Sequence, residues 1–449
     1  WYADLENGNR LIQTSMGLSF LYSPFFFMAH WLAPHFNQGQ DGFSSIYQFF
    51  LVLSSLVYVM LGLILLRRIL LRFFTPLATA ITLVLVGLGT NLFFYTVHEG
   101  PMPHGYNFTL ITLFLSLVIR WHDKPTIRKS IWLGLLYGLI VLIRPSNIIV
   151  GILFLGWGIT GVQSLRSRPA FLVNHYVHLL LMPVMFLIPW IPQIIYWKTI
   201  TGSFLFNSYG PSGSSFYFGS PHFFDVLFSF RKGWFLYTPV MLVATAGLFF
   251  LGRKFKGGLW PISLYLAFQV YLLASWWSWW SGGSFGLRSF VDLYGVMALP
   301  LAAFVETAIQ ARRWITYPVM GFLCFLLYMN QFQIYQYNEG YIHHSGMTQK
   351  AYFFSFLKSE PEGNYWLMLS LPDTQLARYG IYYAYYTGDD HSALKALDRD
   401  EGLEQIRGEI DADPKTRKEI GKHAKRAQIT YHEALDMVVE RVYDQKISR

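Results

Sequence analysis

The sequence predicts an all-α polytopic membrane protein, and three observations predict it. Of 449 residues, 53% are hydrophobic and only 14% charged. Apolar runs of about 20 residues recur along the chain. Lys and Arg fall unevenly on the connections that separate those runs. The formal charge of +9 is spread over short loops, so it does not read as a nucleic-acid footprint. The one cysteine, Cys324, lies inside an apolar run, which excludes disulfide and cysteine–metal frameworks. Aromatics make up 18% and gather at segment ends, as in interfacial belts.

Taken in order, residues 1–43 read as an outer loop holding a membrane-surface helix. Its apolar patch, Met16 to Ala33, contains Pro24 and is short for a crossing. Residues 44–335 form the membrane domain. Crossing segments are expected near 44–66, 75–96, 106–120, 131–144, 147–163, 177–198, 234–252, 259–279, 290–309 and 314–335, about ten in all. One set of connections carries 14 Lys and Arg, among them Arg72, Arg120, Arg168, Lys254 and Arg312. The other set carries 6: Arg10, Arg144, Lys198, Arg231, Lys232 and Arg288. The excess marks the first set as cytoplasmic and leaves the second outside. Trp1 opens on polar sequence and the chain starts outside, so a further in-to-out helix is expected upstream. Residues 336–449 lack a crossing segment and read as a small soluble helical tail on the outer side. Thr430 with Glu433 makes a capping box for its last helix, through about Tyr443. The tail is a partner or substrate platform, or a solubilising appendage.

The stretch LFSFRKGWFLYTP, Leu227 to Pro239, sets Arg231 beside Lys232 where an aromatic loop enters an apolar segment. Two desolvated cations need an anion, and phosphate suits a planar fork next to a point charge. The alternative is a basic anchor at the membrane boundary. Arg144 in IRPSN stands where a helix must break at Pro145, and with Asn147 it can bind a head group or simply snorkel. WWSWWSGGSFGLRS puts Trp279 and Trp280 next to a glycine turn and Arg288; the rings can stack on a sugar, cover a lipid chain, or anchor the interface. Asp292 follows Arg288 at helical spacing and can pair with it. Tyr209 lies in the NSYGPSGSS loop, a flexible stretch suited to closing over a ligand.

Acidic candidates also lie outside. The first loop offers Asp4, Glu6 and Asp41, the last equally readable as a helix cap. In HEGPMPHGYNF, Glu99 and His104 flank a Pro-Met-Pro turn and can hold a general base near a sugar hydroxyl, or be ordinary interfacial polar residues. Gly134 and Gly138 carry a weak helix-packing spacing. No HExxH, Walker loop or Rossmann fingerprint occurs, so neither a nucleotide cofactor nor a metal is expected.

Together, GLSFLYSPFFFMAH, DGFSSIYQ, GTNLFFYTVHEGPMPHGYNF, GLIVLIRPSN, LFSFRKGWFLYTP, WWSWWSGGSFGLR and HHSGMTQKAY resemble a bacterial family within the GT-C superfamily of membrane glycosyltransferases. That superfamily includes protein O-mannosyltransferases and lipid A aminoarabinose transferases. The resemblance implies a GT-C-like helical bundle in the inner membrane. It further implies a polyprenyl-phosphate sugar donor and transfer on the periplasmic face to a protein, lipid or polysaccharide. In that family an acidic residue soon after the first helix, in an Asp-Gly-x-Gly-Tyr-Tyr stretch, is the catalytic base; this sequence begins beyond that point. Glu99, His104 and Asp41 remain as candidates for catalysis. Arg231, Lys232, Arg144 and Arg288 remain for the donor phosphate. A polytopic transporter or lipid flippase is the rival reading, which expects mid-membrane charges and inverted repeats.

Overall fold

A computed structural model describes residues 2–5, 7–210, 213–360, 365–372, 374–378, 399–427 and 429–447. Glu6, and Pro211 and Ser212 of the NSYGPSGSS loop, lie outside the described residues. The chain is mainly helical. It opens with a short antiparallel hairpin, Tyr2–Asp4 with Arg10–Ile12, in which Asp4 faces Arg10 and pairs with it at 3.2 Å. The helices that follow are α1 (Gly17–Leu32), α2 (Ser45–Leu70), α3 (Pro76–Leu88), α4 (Leu92–Val97), α5 (Pro103–Asp123), α6 (Ile127–Ile143), α7 (Gly151–Gly156) and α8 (Val162–Asn174). After these come α9 (Tyr176–Leu187), α10 (Ile191–Thr201), α11 (Phe223–Phe228), α12 (Trp234–Tyr237), α13 (Val240–Lys254), α14 (Lys256–Ala274), α15 (Tyr294–Ile309) and α16 (Arg313–Asn338). The patch around Pro24 is one unbroken helix, α1, too short to span a bilayer.

Among the described residues, five helical stretches are long and apolar enough to cross a membrane: Ser45–Leu70, Tyr176–Thr201, Lys256–Ala274, Arg288–Ile309 and Arg313–Asn338. The other expected segments are helical but shorter or more polar. Segment 75–96 breaks after Gly89 into α3 and α4, and segment 147–163 becomes a 3-10 turn, Pro145–Val150, and the short α7. Helix α5 buries His104, Asn107, Thr109 and Thr112, which lowers its hydropathy without exposing polar groups to lipid.

Burial separates centre from rim. In the most apolar 18 residues of Arg288–Ile309, 89% are buried, whereas in those of Tyr176–Thr201 only 6% are, and Leu180, Val184, Leu187 and Ile195 turn outward. Helix α15 is thus the axis, packed by α3, α5 and α13, and α9–α10 form an exposed apolar wall. The glycine spacing on α6 has a direct packing role. A Cβ on Gly134 or Gly138 would run into the backbone carbonyls of Met182 and Phe186 on α9, and Trp190 Nε1 donates to Gly138 O at 3.1 Å. Gly138→Val is therefore expected to cost about 1–3 kcal/mol through overpacking, read as a lower thermal midpoint of the purified protein in detergent. An unchanged midpoint would mean that α6 and α9 separate freely there.

Connections assigned to one side by their charges meet in space. On the basic side Arg72 grips Asp123 through two bonds of 2.6 and 2.7 Å, Lys254 pairs with Glu306, and Gly158 N reaches Gly257 O at 2.9 Å. At the opposite end Asn7 and Asn9 reach Ile200 O, and Tyr217 N reaches Ser275 O at 2.6 Å.

The chain after α16 divides. Ile342, Met347, Ala351, Tyr352 and Tyr365 join the core of the membrane domain. Helices Arg399–Ala412, Pro414–Ala427 and Tyr431–Ile447 build a second core around Ile406, Ile420, Leu435 and Val439. The capping box is present: Glu433 Oε2 accepts from Thr430 N at 2.7 Å and Thr430 Oγ1 from Glu433 N at 3.2 Å.

Candidate functional site

At the end that the charge rule places outside, the turn after α4 presents Glu99. Helix α4 closes with His98 N and Glu99 N both donating to Phe94 O, at 2.9 and 3.2 Å. Met102 N then bonds Glu99 O, and Pro103 starts α5 at a position where a missing N–H costs nothing. This geometry turns the Glu99 carboxylate inward. Its Oε2 is buried and has no hydrogen-bond partner among the described residues. Burial raises its pKa above the usual carboxylate range, and the Arg288 and Lys232 charges pull the other way.

Lys232 is almost completely buried, at 1% exposure. Its ammonium donates to the backbone carbonyls of Ser284 and His344, which ties the loop before α12 to the WWSWWSGGSFGLR stretch and to the HHSGMTQKAY stretch. Burial, and then the nearby Arg288, push its pKa well below the ordinary ammonium value; Glu99 opposes them. Arg231 is partly buried, donates to Ser370 O at 3.0 Å, and is shifted by burial to about 10. Arg288 acts electrostatically on both Glu99 and Lys232. Its only described hydrogen-bond contact is a weak one, Nη1 to Met102 Sδ at 4.0 Å. Most of its donor capacity is thus uncommitted. Glu99, the adjacent Arg231 and Lys232, and Arg288 form one electrostatic group drawn from three separate parts of the sequence.

Arg144 has a different engagement. Its Nη1 donates to Asp292 Oδ2 at 2.8 Å and its Nη2 to Ser289 Oγ at 3.0 Å. Asp292 is fully buried and also accepts from Asn147 Nδ2 at 2.9 Å and Asn107 Nδ2 at 3.2 Å, while its Oδ1 faces His104 Nδ1 at 3.3 Å. The expected Arg288–Asp292 pair is therefore not formed. Residues Arg288–Leu293 are a 3-10 helix, in which residues three apart eclipse and residues four apart do not. Arg144 and Asn147, read from the sequence as able to bind a head group or simply to snorkel, donate to Asp292, and Arg144 donates to Ser289 as well.

The remaining candidates stand apart. Asp41 is exposed, and its Oδ1 accepts from Phe43 N at 2.8 Å and Ser44 N at 2.9 Å at the start of α2. Those bonds hold its pKa below the usual range and describe a loop-to-helix cap. Trp279 and Trp280 are buried; Trp279 stacks on His222 with centroids 5.8 Å apart and meets Trp280 edge-on. They are packed by protein and are not an open platform. Tyr209 is exposed, with its ring edge against Trp276 at 6.4 Å. Sequence reasoning missed Asp292 as a hub and missed the His344 and Ser284 carbonyls as Lys232 acceptors. The one available signal was an acidic residue inside an otherwise apolar segment.

No family model matches the sequence, and no curated protein matches it. A solved structure of the archaeal oligosaccharyltransferase AglB from Archaeoglobus fulgidus, in complex with an inhibitory peptide and a dolichol-phosphate, is similar over 78% of this chain and 52% of that chain. The TM-score is 0.40 and the identity 11%. The chain thus spans about half the length of that structure, and a likeness of this size assigns neither family nor activity.

Proposed function

We propose that this protein is an inverting glycosyltransferase of a bacterial inner membrane, taking its sugar from a polyprenyl-phosphate donor on the periplasmic side. The resemblance of its motifs to GT-C enzymes supports the class, and one observation carries the site: a half-buried carboxylate, Glu99, whose buried Oε2 has no hydrogen-bond partner among the described residues, within electrostatic reach of the uncommitted guanidinium of Arg288 and the buried ammonium of Lys232. In this reading Glu99 takes the proton from an acceptor hydroxyl as that oxygen attacks the anomeric carbon. The bond from that carbon to the phosphate oxygen breaks, and the polyprenyl phosphate leaves with the electron pair. Arg288 and Lys232, helped by the charge of Arg231, stabilise the charge that develops on the leaving phosphate. His104 sits at the acceptor side. Tyr209, on a loop at the same end, remains a candidate contact for sugar or lipid.

The test is incubation of the purified full-length protein with radiolabelled polyprenyl-phosphate sugars. Label passing to an acceptor supports the enzyme. Uptake into vesicles without transfer supports the transporter reading, which the sealed ion pair of Arg144 and Asp292 would also suit.

The two shifted groups set an expected pH profile. Glu99 must lose its proton to act, so the rate rises with pH through a limb above the usual carboxylate range. Lys232 must keep its proton to attract phosphate, so the rate falls through a limb below the ordinary lysine range. The measured profile of kcat/KM should be a bell narrower than unperturbed Glu and Lys would give. A profile as broad as unperturbed Glu and Lys would give, or one with neither limb, would remove both roles.

A further inference from the structure

We propose that Asp292 is a positioning residue that locks His104 into one tautomer and leaves its Nε2 as a fixed hydrogen-bond acceptor for a second hydroxyl of the acceptor substrate, next to the one that Glu99 deprotonates. The proposal rests on the glycosyltransferase reading for its substrate and on geometry for its mechanism. An ionised carboxylate can only accept. Asp292 Oδ2 is taken by Arg144 Nη1 at 2.8 Å, Asn147 Nδ2 at 2.9 Å and Asn107 Nδ2 at 3.2 Å, which leaves Oδ1 for His104 Nδ1 at 3.3 Å. Nδ1 must then carry the hydrogen, and in the neutral ring the lone pair stands on Nε2.

Three parts of the fold make this arrangement rigid. His104 and Asn107 lie on one face of α5, Arg144 and Asn147 flank the break at Pro145, and Asp292 enters from the 3-10 helix before α15. Arg144 supplies the counter-charge that lets a fully buried carboxylate stay ionised. On its other side the His104 ring meets Tyr95 edge-on, with centroids 5.5 Å apart. Tyr95 and His104 both feel the charge of Arg288. The imidazole thus stands between the Asp292 hub and Tyr95, which feels the charges of both Glu99 and Arg288. Arg144, on this account, serves the hub and not the donor phosphate.

Nitrogen-15 spectra of the histidine-labelled full-length protein test this, with the His104 signals identified by their loss in His104→Gln. The wild type is expected to show His104 hydrogenated at Nδ1. A wild-type His104 hydrogenated at Nε2 overturns the proposal whether or not the Asp292 variant folds. In Asp292→Asn, the new amide faces three donors and is expected to turn its NH2 toward His104. The tautomer should then shift to Nε2–H, and kcat should fall roughly 100-fold as the acceptor loses its orientation. The KM for the polyprenyl-phosphate sugar should stay within about threefold, because the side chain at this position does not touch the donor. An unchanged tautomer, or a KM that rises as much as kcat falls, refutes the positioning role. A wild type that transfers no label yet shows the Nδ1–H tautomer ends the glycosyltransferase reading while supporting the Asp292–His104 pairing.

Discussion

Glu99→Gln is expected to lower label transfer about 10²- to 10⁴-fold, the range contributed by a positioned general base. The substitution keeps the size of the side chain and removes only its basicity. It also relieves a cost, because the amide no longer has a charge to desolvate at a site where Oε2 has no partner. Stability should therefore stay level or rise while activity collapses, an uncommon pairing that separates catalysis from folding. Rates from single-turnover transfer and a thermal midpoint on the same sample would check both halves. A Glu99→Gln protein that still transfers at the wild-type rate would assign the base elsewhere.

Arg288→Ala is expected to lower transfer about 10²- to 10³-fold, the loss seen when one donor to a developing oxyanion is removed. Arg288 is the sharpest probe among the cations because its guanidinium is least engaged. Lys232→Ala would strand the Ser284 and His344 carbonyls, and Arg144→Ala would strand a buried carboxylate, so both confound function with folding. A second effect marks the residue as Glu99's neighbour. Arg288 opposes the rise in the Glu99 pKa, so removing it should move the rising limb of the pH profile to higher pH. Arg288→Lys keeps the charge but loses the planar fork, and should restore the limb more fully than the rate. A rate loss with no movement of the limb would separate Arg288 from Glu99.

Composition and periodicity were enough to predict a mainly helical chain and the apolar stretches around α2, α9–α10, α14, α15 and α16 that are long enough to cross a membrane. Local chemistry was equally readable at Gly134 and Gly138, at the Thr430–Glu433 cap and at Asp41, because each depends on residues within a few positions or on the shape of a single helix face. The cations at Arg231, Lys232 and Arg288, and Glu99 beside the Pro-Met-Pro turn, could be singled out as residue types costly to desolvate. Their grouping could not be read from one-dimensional spacing. Which counter-charge each cation receives is a long-range matter: Arg144 meets Asp292 across 148 residues, and Lys232 meets the His344 carbonyl across 112. Helical spacing assigned Asp292 to Arg288, but the 3-10 turn rotated it toward Arg144, His104 and two asparagines. Buried charge is settled by whichever partner the packing brings within hydrogen-bond reach, and only the tertiary structure decides that.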